Sequence, residues 1–193
     1  MASRIRFETA GSVFDSFPEL ARFVASPEGA AAPLDHARAL LASKRPNDAI
    51  LFLAHLLPRR EAVWWAAQCV RAMMGDGAED QALAAAEGWV RQPDEETRRA
   101  ALGAAYSGNP ANAATMLAFA AGWSGGSLTA PDQPSKAPPP SACAMAANAA
   151  IMVAVTAGEP RTVVERIRAC AEAGLRFAEG GEAKVRPPAS SPA

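Results

Sequence analysis

Histidine and cysteine are scarce in this 193-residue chain, which contains two histidines and three cysteines. Cys69, Cys143 and Cys170 are far apart and lie in apolar stretches, so their spacing excludes a disulfide framework or a CxxC motif and fits a reducing compartment. His36 and His55 have no His, Cys or Asp partner at metal-ligand spacing on the same predicted helix. We therefore expect no metal and no cofactor, core positions for the cysteines, and a surface or helix-end position for each histidine.

The chain also lacks an excess of charge and a long apolar run. Its 19 basic and 20 acidic residues give a formal net charge of −1, so no basic excess is present to neutralise a nucleic-acid backbone. The most apolar stretch, 142–157, contains Asn148 and is shorter than the roughly 20 residues of a membrane-spanning helix. Residues 1–7 are not followed by the apolar stretch of a signal peptide. We expect a cytoplasmic protein that neither binds nucleic acid nor inserts into a membrane.

Large apolar and β-branched side chains are few, because 48 of the residues are alanine. Alanine is the best helix former, and β-sheets are built mainly from β-branched and aromatic residues. Helices with small side chains at their contacts can also approach one another closely. The composition therefore predicts an all-α fold.

Apolar periodicity predicts seven to eight antiparallel helices, joined by short turns, in a single domain over residues 34–179. A partly ordered N-terminal segment, 1–33, precedes the domain and contains a helical turn that begins near Pro18. A proline-rich loop at 124–140 interrupts the domain, and a disordered tail at 180–193 follows it.

Local signals predict where several helices begin and end. Arg59 to Met74 forms one helix, and another starts near Ala78 and ends at Arg91. The pair Asn109-Pro110 caps and begins the helix that ends at Gly122.

Consecutive helices pair into hairpins near 47–74 and 78–107, about 31 residues apart, which is the scale of α-solenoid repeats. In the second hairpin, Glu95 can form an ion pair with Arg98 or Arg99. A HEAT-like stack and a single irregular bundle are both compatible with these patterns.

The segment 122–126 formally matches the G-x-S-x-G nucleophile elbow of α/β-hydrolases. That motif requires a strand-to-helix turn and a histidine later in the chain. Here an alanine-rich helix precedes Ser124, and both histidines lie upstream. We expect Ser124 to be a loop residue, and we identify no catalytic residue.

Two neighbouring tryptophans mark the first candidate contact site. Adjacent residues of a helix point about 100° apart, so Trp64 and Trp65 cannot both be buried on one face, and one of them is expected near the surface. Arg59, Arg60 and Glu61 surround the same helix start, where an arginine can stack on a tryptophan. The alternative is that this segment only fixes the fold.

The proline-rich loop marks the second candidate site. A compact domain seldom retains 17 irregular residues without a use, so the loop is either a contact element or a tolerated insertion. Its prolines favour the polyproline II conformation. The candidate contact residues at its start are Trp123, Ser124, Gly125, Gly126 and Ser127.

Several of these segments together resemble a family of bacterial all-helical proteins found near type VI secretion genes. The resemblance is carried by Pro-Arg-Arg-Glu-Ala-Val-Trp-Trp at 58–65, Ala-Glu-Gly-Trp-Val at 86–90, Trp-Ser-Gly-Gly-Ser at 123–127 and the alanine-rich helix after the loop. It covers roughly residues 35–165. The resemblance implies an accessory, adaptor or chaperone-like role and transfers no catalytic residue.

Taken together, these patterns favour a non-catalytic protein-interaction module whose partner is a secretion component or an effector. The alternatives are a helical bundle that binds a small ligand and an enzyme whose site the sequence does not reveal.

Overall fold

The computed structural model describes residues 3–27, 29–75, 80–130 and 132–186. Over these ranges the chain forms nine α-helices and no strand, which confirms the all-α prediction. The helices are α1 (Ala10–Ser16), α2 (Pro33–Ala42), α3 (Asn47–Leu56), α4 (Arg59–Met74), α5 (Gln81–Arg91), α6 (Glu95–Ser107), α7 (Ala113–Gly122), α8 (Ala142–Thr156) and α9 (Val163–Ala178).

The N-terminal segment contains a helix that the sequence pattern does not predict. Thr9 caps α1, since its hydroxyl oxygen accepts a hydrogen bond from the backbone N–H of Ser12 at 3.2 Å. A 3-10 helix, Pro18–Arg22, lies where a helical turn was expected. Val13 and Leu20 bury their side chains in the common core, so this segment packs against the helical domain.

The helices form an irregular bundle. Helices α7 and α8 pack against each other, and α8 also contacts α3, α4 and α9. The last helix, α9, returns to contact α2, α3 and α4. In a solenoid each repeat contacts only its neighbours, whereas here the end of the chain packs on its beginning. Of the two architectures left open by the sequence, the bundle is the one observed.

Small residues permit the closest helix contacts. Gly122 at the end of α7 lies against Leu102 of α6, where a Cβ on the glycine would stand 2.8 Å from the leucine Cβ. Asp80 caps α5 and Asn112 caps α7, and the two caps are joined by a 3.2 Å hydrogen bond from Asn112 Nδ2 to Asp80 Oδ2. Small side chains thus allow α6 and α7 to approach closely, and polar caps fix the starts of α5 and α7.

Helix α4 has the predicted ends, but the predicted start of α7 is wrong. Helix α7 begins at Ala113, because the carboxamide oxygen of Asn112 accepts from the N–H of Ala114 at 2.9 Å. Asn109 instead accepts from the N–H of Ala111 at 2.9 Å and forms a separate turn. The predicted start of α5 near Ala78 lies outside the described residues, and the helix itself begins at Gln81.

The two ends of the described chain lie together beside α9. The backbone N–H of Arg4 donates to the carbonyl of Ala178 at 2.9 Å. Beyond α9, Ala183 and Val185 are buried, so the packed part of the chain continues past residue 179. Residues 187–193 of the predicted tail lie outside the described residues. None of the described helices is long and apolar enough to cross a membrane.

Candidate functional site

The neighbouring tryptophans have different environments, as the helical geometry predicts. Trp65 is fully buried, and its indole N–H donates to the carbonyl of Cys170 at 3.0 Å. Trp64 is half-buried at the surface of α4. Trp65 therefore fixes α4 against α9, while Trp64 is the accessible member of the pair.

The structure brings the two candidate segments into direct contact. Arg59, at the first position of α4, donates from Nη1 to the carbonyl of Ser124 at 2.6 Å. Arg60 points elsewhere, and its Nε donates to the carbonyl of Val90 at 2.7 Å. Arg60, Glu61 and Trp64 together line a separate surface cavity. The candidate residues thus divide between two surfaces.

A buried arginine, Arg98, organises the loop start. The sequence alone does not indicate that this residue contacts the loop. Arg98 is 3% exposed and donates to the carbonyls of Gly122 at 2.6 Å and Ser127 at 3.0 Å. Its Nε and Nη2 also donate to the two carboxylate oxygens of Glu95, at 2.6 and 2.7 Å. These hydrogen bonds hold the pKa of Glu95 below its ordinary value. Arg98 thereby ties α6 to the end of α7 and to the loop.

The predicted pairing of Glu95 is confirmed for both arginines, since Arg99 Nε lies 2.7 Å from Glu95 Oε1. Arg99 also donates to the carbonyl of Thr129 at 3.0 Å. Gly126 lies so close to this cluster that a Cβ would stand 2.7 Å from Arg98 Nε and from Glu95 Oε2. Its φ of +61° is a second reason for glycine at this position.

The loop between α7 and α8 contains hydrogen bonds of its own. The backbone N–H of Leu128 donates to the carbonyl of Lys136 at 2.8 Å, and the hydroxyl of Thr129 donates to the carbonyl of Pro134 at 2.8 Å. The Ser127 hydroxyl oxygen accepts from the N–H of Lys136 at 3.1 Å. These bonds join residues 127–129 to residues 134–136, and Arg98 and Arg99 anchor residues 127 and 129 on α6.

An aromatic cluster at the surface, partly exposed, borders the loop start. Phe119 in the last turn of α7 and Trp123 just after the helix are four residues apart, and their ring centroids are 4.7 Å apart. Tyr106 of α6 packs edge-on against Phe119 with centroids at 5.5 Å, and it is 63% exposed. We call Tyr106, Phe119 and Trp123 the aromatic ridge. The four-residue spacing of Phe119 and Trp123 is visible in the sequence, whereas the contribution of Tyr106 requires the packing of α6 on α7.

Both histidines are buried, so a surface position is wrong, but both lie at helix ends as the other predicted alternative states: His36 in the first turn of α2 and His55 in the last turn of α3. His36 packs edge-on against Phe14 and Phe52, with centroids at 5.9 and 4.9 Å, and His55 packs against Phe17 at 4.9 Å. His55 Nδ1 shares a hydrogen bond of 2.8 Å with the carbonyl of Leu51. Neither Nε2 has a hydrogen-bond partner among the described residues. Burial lowers the pKa of both imidazoles.

The cysteines and Ser124 occupy the expected kinds of position. All three thiols are buried, and burial raises the pKa of Cys69 and raises that of Cys143 to about 12. Ser124 follows α7 in the loop, where its carbonyl accepts from Arg59. Across the described residues, no group of three or more His, Cys, Asp or Glu side chains is arranged to hold a metal ion.

Comparison with known proteins identifies one family. The sequence pattern of a family described as "Family of unknown function (DUF6931)" matches residues 36–178, which include α3 to α9, the loop and the aromatic ridge. No curated protein and no solved structure gives a significant match. Since the match spans most of the chain, the protein belongs to this family of unknown function.

Proposed function

We propose that the protein is a non-catalytic, cytoplasmic interaction module with an adaptor- or chaperone-like role, and that the aromatic ridge and the adjoining loop start form its contact surface. The observation that carries the proposal is the cluster of aromatic rings at the surface beside the loop, in which Tyr106 is exposed and Phe119 and Trp123 are half-buried. Tyr106 remains 63% exposed although it is packed against Phe119. Apolar side chains that form a contiguous surface patch, rather than standing singly, mark interaction sites.

The composition of the surface supports a protein partner. Tryptophan, tyrosine and arginine dominate the energetics of protein interfaces, because each provides a large contact area together with hydrogen-bonding capacity. Tyr106, Trp123 and Arg59 bring these three residue types to one region, since Arg59 is bonded to the residue after Trp123.

The anchoring of the loop start also supports the proposal. Arg59, Arg98 and Arg99 donate to carbonyls of Ser124, Gly122, Ser127 and Thr129, and these bonds fix the backbone next to the ridge. A surface that is ordered before binding loses less conformational entropy when a partner docks. The loop is therefore better explained as a contact element than as a tolerated insertion.

The finer part of the proposal concerns the identity of the partner. The segments at 58–65, 86–90 and 123–127 resemble bacterial helical proteins found near type VI secretion genes. On that basis we propose that the protein is bacterial and that its partner is a secretion component or an effector.

Co-purification from the native host tests the proposal. The full-length protein and its Tyr106→Ala and Trp123→Ala variants serve as baits under mild lysis. Phe23→Ala is the matched control, because Phe23 is another exposed aromatic residue, 47% accessible, in the N-terminal segment. The melting temperature of each variant is measured in parallel, so that loss of binding is separated from loss of folding.

The proposal predicts a partner that is retained by the wild type and by Phe23→Ala and is lost from both ridge variants at unchanged melting temperature. Retention by both ridge variants would exclude the ridge as the contact surface. A partner encoded with type VI secretion components would support the finer proposal, and one unrelated to secretion would contradict it.

A further inference from the structure

A second surface feature, distinct from the aromatic ridge, is a cavity of about 330 Å³ where α4 begins and where α5 and α9 end. This volume is at the lower end of the range observed for small-molecule sites. The side chains that define its chemistry are Arg4, Arg60, Glu61, Trp64, Arg91 and Phe177.

The cavity is cationic in a chain whose formal net charge is only −1. Three guanidinium groups line it against the single carboxylate of Glu61. Glu87 lies nearby, with Oε2 at 3.9 Å from Arg91 Nη1, but its carboxylate is engaged by Arg71, whose Nη2 donates to it at 2.7 Å. Glu61 can balance only one of the three positive charges, so the lining residues carry a net positive charge.

Two of the guanidinium groups are held in fixed orientations. Arg60 Nε donates to the carbonyl of Val90 at 2.7 Å. Arg4 Nη1 donates to the carbonyls of Phe177 at 2.6 Å and Gly181 at 2.8 Å, and its guanidinium lies 4.2 Å from the centre of the Phe177 ring. A planar guanidinium fixed along one edge presents its remaining N–H donors without a further loss of entropy.

Capping of helix ends explains only part of this arrangement. The carbonyls of Val90 and Phe177 belong to the last turns of α5 and α9, where arginine donors are favourable. That role uses Nε of Arg60 and Nη1 of Arg4. Both Nη atoms of Arg60 form no hydrogen bond to any described residue, and Arg91 has only the 3.9 Å contact with Glu87. These donors are available to a ligand.

The cavity also has an apolar wall. The half-buried Trp64 lines it, and the buried Phe177 contributes beneath the Arg4 guanidinium. Guanidinium groups bind carboxylates and phosphates through paired hydrogen bonds, and aromatic side chains favour flat apolar groups. We propose that this cavity binds a small organic oxyanion, a carboxylate or a phosphate ester, carried on a flat apolar group.

Calorimetric titration of the full-length protein tests the assignment. Benzoate and phenyl phosphate are the probes, and benzamide is the neutral control with the same ring. We expect saturable binding of at least one anion, and binding of benzamide weaker by about tenfold or more, the change expected when a charged hydrogen bond is lost. Preference for benzoate identifies a carboxylate ligand, and preference for phenyl phosphate identifies a phosphate ester.

Charge-removing variants locate the binding. Arg60→Gln and Arg91→Gln should each lower the affinity for the preferred anion by about tenfold. Arg161→Gln, which removes one exposed positive charge from the segment Pro160–Thr162, should leave binding unchanged. Because Arg60→Gln also removes the bond to Val90, Arg91→Gln provides the test if Arg60→Gln does not fold.

Three results would overturn the assignment: neither anion binds, benzamide binds as well as the anions, or Arg91→Gln binds as tightly as the wild type. Each can be distinguished from failure of the ridge proposal, since Tyr106 and Trp123 do not line this cavity.

Discussion

Gly174 of α9 lies directly against the indole ring of Trp65 on α4. A Cβ on Gly174 would stand 2.7 Å from the indole Cε2 and 2.8 Å from Cζ2. The indole cannot withdraw without loss, because its N–H is bonded to the carbonyl of Cys170, one turn earlier on α9. This contact limits how closely α4, from the middle of the chain, and α9, from near its end, can approach each other.

Gly174→Ala should therefore destabilise the protein by about 1–3 kcal/mol, the usual cost of adding a methyl group to a tightly packed site. Gly103→Ala is the matched control, because Gly103 is also helical but a Cβ there would meet no atom within 4 Å. That control should be neutral or should stabilise α6 by up to about 1 kcal/mol. Urea denaturation measures both changes, and equal effects of the two substitutions would contradict the packing described.

Arg98→Ala should lower the free energy of unfolding by about 3 kcal/mol. The substitution leaves the buried carbonyl of Gly122 without a donor and removes the hydrogen bond that anchors the loop at Ser127. Arg161→Ala, an exposed arginine, should change stability by no more than about 0.5 kcal/mol. Chemical denaturation gives the comparison. A loss of less than about 1 kcal/mol for Arg98→Ala would show that the buried hydrogen bonds contribute little.

Stability should fall as the pH decreases from 7.5 to 5.5. Burial lowers the pKa of His36 and His55 below the ordinary 6.5, so the unfolded chain binds protons over this range more readily than the folded one. Each histidine can lower the free energy of unfolding by up to about 1.4 kcal/mol for each pH unit below 6.5. The hydrogen bond to the carbonyl of Leu51 and the charge of Glu19 oppose this lowering of the His55 pKa without reversing it.

Urea denaturation at a series of pH values tests this dependence. His36→Gln and His55→Gln should each remove part of the slope, because glutamine does not titrate. A free energy of unfolding that stays constant between pH 7.5 and 5.5 would contradict the burial of the two imidazoles.

The thiols should be unreactive in the folded protein. Cys69, Cys143 and Cys170 are all buried, and burial raises the pKa of Cys69 and Cys143, so little thiolate is present near pH 8. A colourimetric disulfide reagent should detect almost no thiol under native conditions and three per chain after denaturation in guanidinium chloride. Rapid reaction of any thiol in the folded protein would contradict the packing around α4, α8 and α9.

Local sequence signals predict much of the fold. The ends of α4, the 3-10 turn at Pro18 and the pairing of Glu95 with two arginines all follow from capping and helical periodicity. Helix α1 does not, because its seven residues give too short a pattern and its helical state depends on burial of Val13. Closure of the bundle by α9 is likewise not predicted, because it depends on contacts with α2, α3 and α4, which are far from α9 in the sequence.

The candidate surfaces are predicted only in part. The tryptophans and the loop start are conspicuous in the sequence, but the Arg59–Ser124 contact joins residues 65 positions apart. The cavity combines Arg4 with Phe177, from opposite ends of the chain. Contacts of this range depend on how the bundle closes, and no local periodicity indicates them.

Photo-crosslinking from the aromatic ridge tests the central claim most directly. A photoreactive benzoyl-phenylalanine introduced at Tyr106 keeps an aromatic ring at a 63% exposed position, and the same group at Phe23 is the control. After irradiation in the native host, the Tyr106 probe should form a discrete crosslink with one protein, and Trp123→Ala should abolish it. A crosslink of equal yield from Phe23, or no crosslink from Tyr106 in the folded protein, would contradict a docking role for the ridge.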